Sequence, residues 1–464
     1  MFYDVAIIGA GPAGLFCAYE LKSKNKSLRI CIVDKGKSLI KRKCYNIGSN
    51  RCLRCDICSI AHGVGGAGLY SDGKMSSYPA GSEMSKLIED INEIININKY
   101  VVNKLTQSEI RYNTQKERLE DEINHEIMKQ ANMQFKSYNV IHMGSDGIRR
   151  ACDNLENELI DLGVELILES NVIDVNKYEN IFTIEYENGN QNNSINAESL
   201  VIATGKATGL VFRDCFSKMG VEFEYNSIEM GVRVETLNGV LDCLFQNHLD
   251  AKLKLKSGEQ EVRTFCICNG GYITRCFYDS FSNQAPICTI SGYSQIDYKS
   301  PNTNFGLLVR TRFDKSVDPI KEQLSIIQKI NAQSPYGTIY QTLEDFVSNK
   351  CNTDAAANST IKSTLGNSTY ANLNSFFPCY VIQGINNFFK KIATIVDGLE
   401  YRNILLHAPM WELINDKIAL RDGICTSVEG LYVIGDACGW ARGIVQASTF
   451  GVIAANNIIK RRLA

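Results

Sequence analysis

Apolar and polar residues along this chain follow the strand period in some stretches and the helix period in others. Phe2-Tyr-Asp-Val-Ala-Ile-Ile8 reads as a strand, and the small residues from Pro12 to about Ala18 read as a helix entered through a glycine turn. A second strand, Arg29 to Asp34, follows. Residues 35–82 show no clear periodicity, which is unusual for a connection of that length unless it has a function. Glu83 to about Asn98 places Met84, Leu87, Ile88, Ile91, Ile94 and Ile95 on one helical face, and about 106–133 is charged and helical on one side. A short strand, Tyr138 to His142, leads to a helix that Ser145 or Asp146 can cap and Gly163 ends. Strand pieces follow around residues 165–168 and 171–175. A hairpin over about 181–195 turns on the Asn-rich tip 187–193, and Ser199 to Gly205 is an apolar strand ending in Ala-Thr-Gly. From about 210 to 400 the pattern changes. Strands at 229–235, 263–268 and 305–310 mix with helices near 317–331 and 383–396, as in a sheet-based domain inserted into another. At the end an apolar strand runs into Gly435-Asp436, and a glycine-containing loop opens a helix near Gly443.

The spacing Gly9-x-Gly11-x-x-Gly14 between strand and helix predicts a dinucleotide site. Gly9 permits the turn, Gly11 lets a pyrophosphate approach the backbone, and Gly14 lets the helix pack close to the strand. The amides and dipole at the helix N-terminus favour the phosphate charge. Asp34, about 20 residues on, stands where an acid binds a ribose hydroxyl. Asp436, after its own apolar strand, is a second candidate acid: if the nucleotide is a flavin, it would bind a ribityl hydroxyl and the helix near Gly443 would point at the pyrimidine. No G-x-G-x-x-G other than that at Gly9 follows an apolar strand, so no built-in nicotinamide domain is expected.

These three motifs together resemble the glutathione-reductase-type FAD superfamily. The closer resemblance is to bacterial FAD-dependent dehydrogenases of largely unassigned function. It is carried by Cys55-x-x-Cys58, Gly63-Val-Gly-Gly-Ala-Gly68 with Ser71-Asp-Gly-Lys74, Gly231 to Glu235, Thr264 to Gly271 and Gly435-Asp436. The resemblance implies FAD held by Gly9, Gly11, Gly14, Asp34, Ala203, Thr204, Gly205, Gly435 and Asp436. The full expected cofactor set adds Pro12, Ala13, Lys35, Gly65, Gly66, Ala67, Ser71, Asp72, Val172, Gly443 and Ile444. The chain has Asn269 where family members often have Pro, and Gly435-Asp-Ala-Cys438 where they often have Gly-Asp-Gly, which puts a thiol near the flavin loop.

Length and charge narrow the setting. At 464 residues the chain holds about two to three domains, and a formal charge of -2 gives no reason to expect nucleic acid or an anionic membrane. No apolar run is long enough to span a bilayer, and the N-terminus already reads as a strand, so a cytoplasmic protein is expected. The 17 cysteines then read as thiols, metal ligands or redox groups, not as a disulfide scaffold. Cys52, Cys55 and Cys58 form C-x-x-C-x-x-C, with Cys44 upstream. Structural thiols, a redox dithiol, and an iron–sulfur cluster or zinc all suit that spacing. Cys266 and Cys268 alternate in a strand pattern and share a face, as core residues or as the lining of a cavity near Gly270-Gly271.

Candidates for catalysis are His62 and Lys74, which flank the glycine loop, and Arg442 in the flavin loop. Arg233, Arg310 and Arg312 are further candidates for an anionic substrate group. The expected fold is α/β. A Rossmann-like FAD-binding domain (1–82, 134–208, 400–464) carries a helical insertion (83–133) and an α+β substrate domain (209–399). The expected activity is hydride transfer between a small organic substrate and flavin N5. The alternatives are a flavin monooxygenase using NAD(P)H and dioxygen, and a thiol-based redox sensor with bound FAD. Electrons must pass through a separate partner: NAD(P)H, dioxygen, a quinone or a redox protein.

Overall fold

A computed structural model describes the chain except residues 50–51, 108–112, 116–125, 137, 246–248, 259, 280–284, 312, 315, 355–358, 414, 441 and 464. Five strands lie parallel in the order Glu165–Ile167, Ile30–Val33, Phe2–Ile8, Gln191–Ile202 and Leu431–Val433. Their centre reads as unbroken apolar runs because both faces are covered: Val5, Ala6, Ile7, Ile32, Val201 and Val433 are fully buried. The strand Gln191–Ile202 is long enough for two partnerships. Its first half pairs antiparallel with Ile181–Asn188, which pairs with Ser170–Tyr178; its second half joins the parallel sheet.

The helices Pro12–Lys24 and Ile444–Leu463 pack together on this sheet although they come from opposite ends of the chain. Glycine sets their closeness. A Cβ on Gly451 would stand 2.3 Å from the Ala13 carbonyl oxygen and 2.9 Å from the Cys17 nitrogen. The helix Ile91–Thr106, capped by Asp90, joins the same stack through Asn98, which donates to Thr449 Oγ1 at 2.9 Å. Of the helix expected across 106–133, much lies outside the described residues, and Asn113–Gln115 is a strand.

The second sheet has eight strands in the order Thr369–Tyr370, Ile339–Thr342, Leu405–Leu413, Ile228–Leu237, Asn302–Thr311, Gln260–Cys268, Lys252–Ser257 and Gln134–Lys136. All its pairs are antiparallel except the first. The helix Cys379–Ile392 covers it, with Gly384 against Val262 and Val309. A separate hairpin, Tyr272–Tyr278 with Ile287–Tyr293, reaches back to the N-terminal loops. There Asn46 donates to Thr274 Oγ1 at 3.0 Å and Lys35 meets Asp279 at 2.7 Å.

Two boundaries differ from the sequence reading. The strand Leu405–Leu413 lies inside the second sheet, so the chain returns to the parallel sheet at Leu431, not at 400. Gln134–Lys136 also belongs to the second sheet, at its edge. Strand partners are non-local, and a short apolar run does not carry the identity of its sheet. Neither Ser145 nor Asp146 caps the helix Gly144–Asp161. The Ser145 hydroxyl donates to the Ser71 carbonyl, and Asp146 accepts from the Ile296 amide at 3.3 Å. Among the described residues no helix is long and apolar enough to cross a membrane.

Candidate functional site

The glycine turn after the first strand forms one wall of a seam. Gly9 has φ +108°, and a Cβ there would stand 2.4 Å from the Ala203 carbonyl. Opposite it lies the glycine loop of residues 63–68. The Gly65 amide donates to the Ala10 carbonyl at 2.8 Å, and a Cβ on Gly66 would stand 3.0 Å from the Gly11 Cα. Asp34 fastens both walls. One carboxylate oxygen accepts from the Ala10 amide at 2.8 Å, and the other accepts from the amides of Gly36 at 2.7 Å and Gly63 at 2.9 Å. Gly435 closes the far end, its Cβ position 3.0 Å from Ala13 Cβ; Ile444 lies against Gly68, and Ala67 opens the short 3-10 turn beside it. Gly205, at φ +70°, has no heavy atom within 4 Å of its Cβ position. Val172 is buried in the strand Ser170–Tyr178, next to these elements.

Arg42 holds the loop in shape and carries no motif signal in the sequence. Its guanidinium is buried and donates to the carbonyls of Ser59, Ile60, Gly63, Val64 and Gly66, while its cation lies 5.3 Å from the Tyr70 ring centre. In the sequence Arg42 is one of three successive cations, Lys41-Arg42-Lys43, and stands 21 residues before Gly63, so nothing singles it out there.

At the far end of the seam Asp436 follows the strand Leu431–Val433 in a short 3-10 turn. Its carboxylate is half-buried and accepts no hydrogen bond from any described residue. Burial pushes its pKa up to about 6, with Arg442 pulling the other way. Asn415 staples the turn by donating to the carbonyls of Asp436 at 2.7 Å and Gly205 at 3.0 Å. The Cys438 thiol turns inward, donating to the Gly435 carbonyl at 3.0 Å, so it is not presented to the seam as a free thiol. Gly443, at φ +112°, precedes the helix Ile444–Leu463. The residue types suit a flavin dinucleotide: bare glycine backbone, and two acids, Asp34 and Asp436, of which Asp436 has no hydrogen-bond partner among the described residues.

The next layer joins the flavin loop to the second sheet. Glu229 is fully buried and meets three guanidiniums: Arg263 at 2.5 Å, Arg310 at 2.5 Å and Arg442 at 3.1 Å. Burial opposes the charge on Glu229, but Arg263, Arg442 and Arg310 outweigh it and hold the carboxyl well below the ordinary glutamate value. Arg442 also approaches Glu412 at 3.8 Å, and Lys206 meets Glu412 at 3.1 Å. Arg312 lies outside the described residues.

A fourth group centres on the turn Ser71–Lys74. The Ser71 hydroxyl donates to the Gly68 carbonyl at 2.7 Å, which fixes the turn to the glycine loop. Lys74 is buried, 3.1 Å from Asp72 and 3.9 Å from Asp250, and donates to the Ile267 carbonyl. Burial opposes both charges; the pairing outweighs it, holding Lys74 above and Asp72 below their ordinary values. The Cys266 thiol donates to the same Asp72 oxygen at 2.9 Å, and Cys268 Sγ lies 3.9 Å from Cys266 Sγ. Cys266 has φ +45° and sits in a bulge, since the strand register shifts between Phe265 and Cys268. Simple alternation does not describe this pair. Burial, then Lys74, pushes neighbouring His142 down to about 4, and its Nε2 is 2.9 Å from Ser294 Oγ.

The candidates that flank the glycine loop sit in different surroundings. His62 lies by Asp34, Lys35 and Asp279, where burial lowers its pKa against the pull of Asp279. Lys74 is engaged by Asp72, Asp250 and the Ile267 carbonyl. Cys44, Cys52, Cys55 and Cys58 lie near enough that, beyond burial, Cys58 and Cys52 raise the pKa of Cys44 and Cys58 and Cys55 that of Cys52, but they do not form a ligand set. Among the described residues the only His, Cys, Asp or Glu set with ligand atoms within 4.8 Å of one another is Asp72, Cys266 and Cys268. Cys55 is exposed, Cys58 accepts from the Phe277 amide at 3.5 Å, and burial pushes Cys44 up to about 11. The C-x-x-C spacing lies in an irregular loop with Arg54 at φ +49°.

Residues 3–273 match the family described as pyridine nucleotide-disulphide oxidoreductase, and residues 227–410 match the C-terminal domain-like region of FAD-dependent proteins. An uncharacterized protein of Clostridium beijerinckii is 23% identical, over 98% of this chain and 80% of its own length. A flavoprotein/dehydrogenase of Cytophaga hutchinsonii is 14% identical, covering 99% of this chain and 77% of its own, with a TM-score of 0.37. Glycine oxidase of Geobacillus kaustophilus is 12% identical over 99% and 95%, with a TM-score of 0.39. Quinol fumarate reductase of E. coli is 12% identical over 100% and 71%, with a TM-score of 0.45.

Proposed function

The chain belongs to the pyridine nucleotide-disulphide oxidoreductase family and is an FAD-dependent oxidoreductase, and we propose that it moves a hydride between flavin N5 and a small organic anion. FAD supplies the redox chemistry. The chain's own residues bind and orient. The seam of Gly9, Gly11, Gly14, Gly65 and Gly66 takes the pyrophosphate, Asp34 the ribose and Asp436 a ribityl hydroxyl. The N-terminus of the helix Ile444–Leu463 favours negative charge at the flavin.

The observation that carries the substrate class is the group around Glu229. Three guanidiniums share one buried carboxylate, which leaves an excess of positive charge. Arg442 Nη1 is buried without a hydrogen-bond partner among the described residues, Glu412 standing 3.8 Å from it, and the Arg310 side chain is 38% exposed. Guanidinium matches carboxylate geometry, so a carboxylic acid is the substrate class these residues suit. Arg442 acts here as a substrate-binding residue.

The test is anaerobic mixing of the FAD-loaded protein with a panel of carboxylates and their neutral amides, in both flavin redox states, while flavin absorbance is followed. We expect a change with acids only. Arg442→Met should weaken acid binding about 10- to 100-fold, the loss of a bond to a charged group, with flavin content unchanged. Equal response to acids and amides would remove the anion from the proposal. The electron partner belongs to the same proposal: NAD(P)H, dioxygen, a quinone or a redox protein. All cysteines of the chain are free, and the proposed setting is the reducing cytoplasm.

A further inference from the structure

Arg233 poses a charge problem that the site described above does not solve. It is fully buried, yet no carboxylate of any described residue lies within 4.0 Å of it. Its guanidinium donates to Asn304 Oδ1 at 2.7 Å, to the Cys266 carbonyl at 2.9 Å and to Cys268 Sγ at 3.3 Å. The fold is shaped around this cation: a Cβ on Gly292 would stand 1.8 Å from Arg233 Nη2. The nearest acid, Asp72, is occupied by Lys74 at 3.1 Å, and Asp250 is held by Lys252 at 2.5 Å. A buried guanidinium needs an anion, and the group in contact with it that can become one is the Cys268 thiol.

Both thiols face the same Asp72 oxygen, but at different distances. Cys266 donates to it at 2.9 Å, whereas Cys268 Sγ is 3.8 Å away, so Asp72 is the nearer acceptor for the Cys266 proton. The left-handed backbone at Cys266 and the local bulge turn both sulfurs to one side, 3.9 Å apart. Cys266 is half-buried, whereas Cys268 is buried. The pair therefore has a thiolate side next to Arg233 and a proton-donating side next to Asp72. In the same direction, hydrogen bonding between the two thiols lowers the pKa of Cys268 and raises that of Cys266.

We propose that Cys266 and Cys268 form a peroxide-reactive redox dithiol, with Cys268 the attacking thiolate and Cys266 the resolving thiol. The Cys268 thiolate attacks one oxygen of hydrogen peroxide. A sulfur–oxygen bond forms, the oxygen–oxygen bond breaks, and the hydroxide released takes a proton from solvent to become water. Cys266 gives its proton to Asp72 and its sulfur attacks the Cys268 sulfenic acid. The disulfide forms, the sulfur–oxygen bond breaks, and the departing hydroxide takes the proton from Asp72 to leave as water. The two sulfurs together lose two electrons, and one peroxide becomes two waters. Asp72, Cys266 and Cys268 also have the ligand types of a soft-metal site. Lys74 against Asp72 and Arg233 against Cys268 already occupy two of those three ligand atoms with cations, so the dithiol is favoured.

Trypsin cutting after Arg263 and Arg275 releases Thr264–Arg275, in which Cys266 and Cys268 are the only cysteines. The FAD-loaded protein is treated with hydrogen peroxide, denatured, alkylated, digested and weighed. Before treatment the peptide should take two alkyl groups. After treatment it should take none, weigh two hydrogens less than the free dithiol form, and recover both alkyl groups on reduction. In Cys266→Ser, Cys268 should be trapped by dimedone as a sulfenic acid. Two results would overturn the proposal. One is a peptide still doubly alkylated when exposed Cys55 has been oxidised in the same sample. The other is one metal equivalent per chain that blocks alkylation until a chelator removes it. The readout is a mass, so it stands or falls apart from hydride transfer.

Discussion

Replacing Glu229 with Gln tests whether the junction between the two sheets is held by charge. The change keeps the shape of the side chain and removes its one negative charge from the middle of three guanidiniums. At about 3 Å and an effective dielectric near 20, each contact is worth about 5 kcal/mol before desolvation is counted. Arg310 contributes least, because its side chain is 38% exposed and solvent screens it. Arg263 and Arg442 lose a partner in a site where water cannot replace it. Removing one member of a buried ion pair costs about 3–5 kcal/mol, and the amide oxygen of Gln recovers part of that. We therefore expect Glu229→Gln to lower unfolding free energy by about 3–4 kcal/mol at pH 7, measured by urea denaturation of the FAD-loaded protein. The pH dependence provides a second check. The folded carboxyl has a pKa well below its unfolded value of about 4.5, so its stabilisation is fully present above that value. It is lost as pH falls through the folded pKa. The variant should lack this part of the acid-side loss. A decrease under 1 kcal/mol, with the acid limb unchanged, would refute the reasoning.

Three further outcomes follow from the seam. Arg42→Met strips five carbonyls of their donor and should cost about 3 kcal/mol or more, seen as a lower unfolding midpoint and faster proteolysis of residues 36–66. Gly66→Ala adds a Cβ 3.0 Å from Gly11 Cα at φ +58°; it should lower FAD retention on gel filtration more than it lowers stability. Asp436→Asn should act in two directions. The folded carboxyl is raised from 3.8 to about 6, so its charge costs stability that is absent below the lower value and complete above the higher one. At pH 7 the apo variant should be about 1–3 kcal/mol more stable, the lower figure applying because the carboxylate is only half-buried, and it should bind FAD more weakly. A less stable apo variant would contradict that assignment of charge.

The nucleotide seam was legible in the sequence because its requirements are local. A strand, a turn without side chains and a helix follow one another within a few residues, so Gly9, Gly11 and Gly14 announce themselves. Asp34 and Asp436 are legible for the same reason, each ending an apolar strand. The eight-stranded sheet was not, because each strand carries the same short apolar run whichever sheet it joins. Leu405–Leu413 could be assigned only once its partners Ile228–Leu237 and Ile339–Thr342 were known.

By itself, then, the sequence determined a dinucleotide fold with an inserted domain, and the glycines and acids that line it. Tertiary structure decided which charges meet. It placed Arg442 on Glu229, 213 residues away in the chain, and gathered Asp72 with Cys266 across 194. It left the closely spaced Cys52, Cys55 and Cys58 without a shared ligand set while bringing Arg233 to Cys268. The reason is physical. A turn is specified by the conformational freedom of its own residues, whereas a buried ion or thiol is specified by whatever desolvated partner the packed sheets bring to it.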